Sequence, residues 1–236
     1  MLLTRRLTVL LCFCALCVDA DDEVEAILSK NDDPMKCQKM GYDIVFVLDV
    51  VWQNDNYNKE VDEIAKFVNK FDMGDGPGQT RFGSRMRDHQ ITLDLHNTQS
   101  SFISQLREQR TTALVSNELT EYAYNQGELL KTVVDEDFSI SNRPNMNVTK
   151  VAVVFMIASL LKGSEPYAPF AQYASEKDVD VYVVPIGPWP TLREALALAG
   201  NRPNHVFGAA CTKDYALTPI LDAFFEEIMA LDVCSA

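Results

Sequence analysis

A chain of 236 residues, 47% hydrophobic and 23% charged, is long enough for one full hydrophobic core and too short for two large domains. It carries 34 acidic against 21 basic residues, and a net charge of −13 argues against nucleic acid or an anionic membrane as a general partner. No internal repeat or low-complexity tract interrupts it.

Arg5 and Arg6 precede an apolar run from Leu7 to Val18, and Asp19-Ala20 supplies a small residue for cleavage. This pattern predicts a secretory signal peptide over residues 1–20, too short to span a bilayer. The mature protein is therefore expected to be secreted, extracellular and not inserted in a membrane. Residues 21–36 hold the clusters Asp21-Asp22-Glu23 and Asn31-Asp32-Asp33, which predict a poorly ordered acidic arm.

The remainder, 37–234, reads as one α/β domain. Ile44 to Leu48 is continuously apolar and β-branched, as in a parallel strand buried on both faces. Asn54, Asp55 and Asn56 suit a turn or N-cap, and Tyr57, Val61, Ile64, Ala65 and Val68 follow at helical spacing. Gly74 to Thr80 lacks the Lys of a phosphate loop and the closing Glu of a calcium loop, so it predicts a flexible connection. Between Arg81 and Leu95, Ile91, Leu93 and Leu95 alternate with polar residues and predict an antiparallel edge strand.

Further along, a helix is expected to end near Val134, followed by a strand over Val151–Ala158 and a helix over Pro166–Lys177. A strand over Val179–Gly187, a helix over Thr191–Gly200 and a short strand over His205–Gly208 come next. Ala216–Leu231 closes the chain as a helix whose stripe of Leu217, Ile220, Leu221, Phe224, Phe225, Ile228 and Leu231 suits core packing. Strands alternating with amphipathic helices predict a doubly wound, mostly parallel sheet with one antiparallel edge strand and helices on both faces.

In order and spacing, Tyr42-Asp-Ile-Val-Phe-Val-Leu-Asp49, Gly78-Gln-Thr-Arg-Phe-Gly83, Leu119-Thr-Glu-Tyr-Ala123, Lys150 to Phe155, Val179 to Gly187 and His205-Val-Phe207 resemble the von Willebrand factor A domain family. Family members with an active metal-ion-dependent adhesion site carry Asp-x-Ser-x-Ser, a Thr and a second Asp. On this chain those positions are Asp49, Val51, Gln53, a place near Leu114 and one near Ile157. The resemblance thus implies a degenerate site with no metal, in which Asp49 bonds backbone amides of its loop. The alternative is a looser Ca²⁺ site built from Asp49 with Gln53, Asn54 and Asp55. The Gly-Asp-Gly-Pro-Gly-Gln segment and Phe155-Met-Ile-Ala-Ser159 are similar to A domains that accompany C-type lectin modules in secreted invertebrate proteins. An extracellular-matrix or host-defence setting is implied.

Open α/β sheets bind ligands at the carboxyl ends of their strands. The expected binding face is therefore made by the loops Asp49–Asn56, Leu114–Asn117, Ser159–Tyr167 and Pro188–Pro190, with Asp49, Trp52, Gln53, Asn54, Asp55, Ser159 and Trp189 as candidate contacts. Both tryptophans of the chain fall in these loops, where they would form an aromatic contact surface or pack over the sheet end.

Cys12, Cys14 and Cys17 would leave with the signal peptide. The family often ties its termini together, which implies a Cys37–Cys234 disulfide and leaves Cys211 as a buried thiol or the link of a homodimer. Asn147-Val148-Thr149 is an N-glycosylation acceptor in a polar loop, on the edge opposite the binding face. With only His89, His96 and His205 and no Gly-x-Ser-x-Gly elbow, no enzyme is expected. The sequence points to a non-enzymatic binding or adhesion module for an extracellular protein or glycoprotein. Cation-dependent adhesion through Asp49 and a self-associating structural matrix component are the alternatives.

Overall fold

The structure, a computed structural model, describes residues 40–48, 54–87, 89–93, 98–115, 125–140, 143, 148–156, 166–186, 190–208 and 217–230. All of them belong to the second of the two units into which the chain divides, Gln38–Ala236.

Strands β1 (Gly41–Val47), β2 (Thr80–Met86), β3 (His89–Ile91), β4 (Val148–Met156) and β5 (Val179–Pro185) form one sheet in the order β3-β2-β1-β4-β5. β1 pairs parallel with β2 and β4, and β4 pairs parallel with β5; only β3 is antiparallel. The doubly wound, mostly parallel sheet with one antiparallel edge strand is therefore present. The edge strand is shorter than its alternating pattern implied, because Thr80–Met86 takes a parallel place beside β1 and a left-handed Arg87 (φ 51°) begins the turn into β3.

Side chains alternate across the sheet. Ile44, Phe46, Leu48, Phe82, Val153, Phe155 and Tyr182 face helices α1 (Asn54–Val68), α2 (Gln99–Val115) and α6 (Leu217–Ala230). Phe46 lies parallel to Phe82 at 6.0 Å, and Phe67 of α1 stacks on Phe224 of α6 at 5.2 Å. Val45, Val47, Val154, Val181 and Val183 face α3 (Gln126–Thr132), α4 (Ala168–Glu176) and α5 (Leu192–Leu198). Burial on both faces explains why Ile44–Val47 of β1, Val151–Met156 of β4 and Val181–Val184 of β5 read as unbroken apolar runs.

Local chemistry sets several boundaries. Thr191 caps α5 in a reciprocal capping box with Glu194, and Gly200 ends that helix at φ +67°. Asn54 and Asp55 lie inside the first turn of α1 rather than before it. α3 does not stop near Val134: a π-turn (Val133–Asp137) and a 3-10 turn (Phe138–Ile140) carry it on. Gly74–Thr80 is closed by its own bonds, with Gln79 Oε1 accepting from Gly76 N at 2.7 Å and Gln79 Nε2 donating to Asp72 at 3.1 Å. His205 sits in a 3-10 turn (Pro203–His205), and a single bridge between Val206 and Val183 replaces the expected strand.

Candidate functional site

The parallel strands β1, β4 and β5 end together. Leu48 N donates to Arg85 O at 2.8 Å beyond the end of β1, and Ile186 N donates to Met156 O at 2.8 Å beyond β5. Segments 49–53, 157–165 and 187–189 follow Leu48, Met156 and Ile186 directly, so the predicted binding loops start from one edge of the sheet. Asp49, Trp52, Gln53, Ser159 and Trp189 themselves lie outside the described residues, as do the side chains of Asn54 and Asp55. Cys37, Cys211, Cys234 and Asn147 lie outside them as well. Leu114 belongs to the last turn of α2, not to a loop.

A polar clasp joins two of the returning elements. Tyr167, at the start of α4, donates its hydroxyl hydrogen to Gln126 Oε1 at 2.8 Å, and both residues are buried. Asn125 caps α3 by accepting from Gly127 N at 2.9 Å. Phe170 presses so closely on Gly127 that a Cβ there would meet its ring at 2.2 Å. The clasp holds the N-termini of α3 and α4 at fixed separation, next to segments 116–124 and 157–165. A neutral amide and a phenol can position a surface, but neither is a nucleophile activated by a base.

Two charged networks were not anticipated from the sequence. At the amino end of the sheet Asp43 of β1 accepts two bonds from Arg81 of β2, at 2.9 and 2.5 Å. Arg143 pairs with the same carboxylate at 2.9 Å and donates to Gln79 O at 2.8 Å. All three side chains are buried. Burial pulls the Arg143 guanidinium below its usual value, and neighbouring Arg81 adds to that pull against Asp43.

Toward the carboxyl end, Arg85 forks onto Asp137 of the π-turn at 3.0 and 2.8 Å and also reaches Gln90 at 2.6 Å and Glu136 at 2.8 Å. Burial opposes charge on both partners. For Arg85 the carboxylates of Asp137 and Glu136 outweigh it and raise the guanidinium pKa, whereas for Asp137 burial prevails over Arg85 and raises the carboxyl pKa. The available signal was parity: Arg81, Gly83 and Arg85 share one face of β2, and Asp43 lies opposite Arg81 in register. These networks bind β1, β2, the π-turn and Arg143 into one frame beneath the loop edge.

No protein-family model matches the sequence, and no curated protein matches it. Solved structures do match. Proximal thread matrix protein 1 from the mussel byssus, in a second crystal form, superposes with a TM-score of 0.60 at 17% identity, covering 81% of this chain and 46% of that one. Another structure of the same mussel protein gives 0.58 at 17% identity over 82% and 46%. A third, whose metal-ion-dependent adhesion site motif is occupied by zinc, gives 0.57 at 18% identity over 83% and 46%. This chain has a von Willebrand A-like fold. The matched region spans 46% of the length of each of these three structures.

Proposed function

We propose that this protein is a secreted, non-enzymatic binding module whose carboxyl-end loops recognise an extracellular protein or glycoprotein without a tightly held metal. The observation that carries the reading is the shared edge at which β1, β4 and β5 end, since ligands of open α/β sheets lodge outside the carboxyl ends of the strands. Likeness to a byssus matrix protein supports an extracellular-matrix setting. The apolar run before Val18 supports secretion, and no helix among the described residues is long and apolar enough to cross a membrane. The lectin-associated variety of A domain rests on the sequence motifs alone.

The donor set does not suit a resident ion. Val51, Leu114 and Ile157 offer no side-chain oxygen, nitrogen or thiolate, whereas Mg²⁺ wants six oxygens in near-ideal geometry and zinc wants four N, S or O donors. Trp52 and Trp189 supply large apolar contact area in place of the metal. Cys211 adds a route to a covalent homodimer of a structural matrix component.

The test is binding of the glycosylated mature protein to immobilised matrix proteins and glycoproteins, with and without chelator. Saturable binding that survives chelation and is lost in Trp52→Ala or Trp189→Ala at unchanged melting temperature is the expected result. Binding that needs Ca²⁺ or Mg²⁺ and disappears in Asp49→Ala overturns it in favour of cation-dependent adhesion.

A further inference from the structure

Among the described residues, the outer edge of β5 is closed by a turn and a side chain, with no neighbouring strand. Phe207 N donates to Val183 O at 2.9 Å, and Val206 bridges Val183 in parallel sense. Two residues earlier on the same edge, Val181 O lies 3.0 Å from Nδ1 of His205. A carbonyl can only accept, so Nδ1 carries the proton and the imidazole stands where a ladder amide would be. At the end of the edge, Pro185 has no N–H, and Gly208 (φ +147°) packs so tightly that a Cβ would meet Pro185 O at 2.9 Å.

The same imidazole fastens the turn to the C-terminal helix. Its ring, 7% exposed, lies flat on Tyr182 at 4.1 Å with 4° between planes. Tyr182 continues to Phe224 of α6 at 4.9 Å, and Asn204 donates to Glu227 of α6 at 3.1 Å. One neutral ring therefore links the edge of β5, the 3-10 turn and α6.

We propose that His205 is an acid-sensitive latch: protonation at Nε2 releases residues 203–208 from β5 and exposes the outward backbone groups of that strand. An exposed strand edge is a template for pairing with another chain, so the latch would make edge-to-edge association depend on pH. Among the described residues, the charged groups around the ring are few. Arg202 opposes a second positive charge; the Val181 carbonyl, Asp180 of β5 and Glu227 of α6 favour it without outweighing burial; Tyr182 stays neutral, its pKa pushed well up by burial. Burial, with Arg202, holds His205 below the ordinary 6.5. In the released state the imidazole regains that ordinary value. Release is thus favoured progressively as pH falls from 6.5 through the lowered pKa, and levels off below it.

Hydrogen exchange of the mature protein, read by mass spectrometry from about pH 7.5 to about pH 5 and corrected for intrinsic exchange, tests the latch. Protection of 179–185 and 203–208 should fall by up to about tenfold per pH unit inside the window, while β1 and β4 stay protected. His205→Phe keeps a flat ring without a titrating nitrogen and should remove the pH dependence. Arg202→Gln, which removes a charge that lowers the latched pKa, should shrink the acid response and make it level off at higher pH; Glu227→Gln should enlarge it and carry it to lower pH. A flat wild-type profile, or an unchanged acid response in His205→Phe, overturns the proposal. If His205→Phe does not fold, failure of Arg202→Gln to shrink and of Glu227→Gln to enlarge the acid response overturns it equally.

Discussion

The hydroxyl of Tyr42, the second residue of β1, donates to the main-chain carbonyl of Ile228 in the last turn of α6 at 3.0 Å, joining positions 186 residues apart. Carbonyls in the last turn of a helix lack a partner within it, and this phenol supplies one for Ile228.

Tyr42→Phe should therefore cost about 1–3 kcal/mol, read as a lower urea midpoint at unchanged slope. The bond also brings the start of β1 beside the end of α6. Cys37 precedes Tyr42 by five residues and Cys234 follows Ile228 by six, and the Cys37–Cys234 bridge that the family resemblance implies is open to direct test. Peptide mapping under non-reducing conditions should recover that pair, and its reduction should cost up to about 5 kcal/mol in the chain-entropy account.

Asp43→Ala should be among the most damaging single changes outside the aromatic core. It leaves Arg81 and Arg143 buried without their shared counter-charge, a loss of about 3–5 kcal/mol in chemical denaturation. Arg81→Lys should not restore stability, because an ammonium cannot reproduce the two-pronged contact with Asp43.

The two carboxylates on Arg85 should behave unequally. Glu136 is 60% exposed, so Glu136→Gln should change stability by no more than about 0.5 kcal/mol. Asp137 is 1% exposed and holds two bonds from the guanidinium, so Asp137→Ala should cost about 3–5 kcal/mol and unsettle the π-turn. Thermal melts of both variants against wild type check the contrast.

Gly127→Ala probes the clasp beneath the loop edge. A Cβ 2.2 Å from the Phe170 ring forces α3 and α4 apart at a cost of about 1–3 kcal/mol. If the loops after α2 and β4 share one binding surface, this variant should also weaken capture of a matrix ligand more than Glu136→Gln does, which a surface-binding titration would read.

Strand identity was legible because the central stretches Ile44–Val47 of β1, Val151–Met156 of β4 and Val181–Val184 of β5 are buried on both faces and so carry neighbouring apolar or aromatic side chains. β3 was overextended because alternation from Ile91 to Leu95 signals a half-buried edge without saying where pairing stops. The helical continuation beyond α3 was missed because Asp135, Glu136 and Asp137 look like a helix end. Only the fold shows Asp137 turned inward to Arg85 by a π-turn. The predicted contacts Asp49, Trp52, Gln53, Ser159 and Trp189 could be placed only as far as the strand ends that lead to them.

The sequence by itself determined the alternation of strands and helices, the two-sided burial of the sheet and the edge from which the binding loops start, since each follows from local periodicity and connectivity. Tertiary structure alone decided that Asp43, Arg81 and Arg143 share one buried charge site, that Tyr42 closes the last turn of α6, and that His205 completes the edge of β5. Those pairings depend on strand register and helix docking, which bring residues 24 to 186 positions apart within hydrogen-bonding distance. No local pattern encodes such distances.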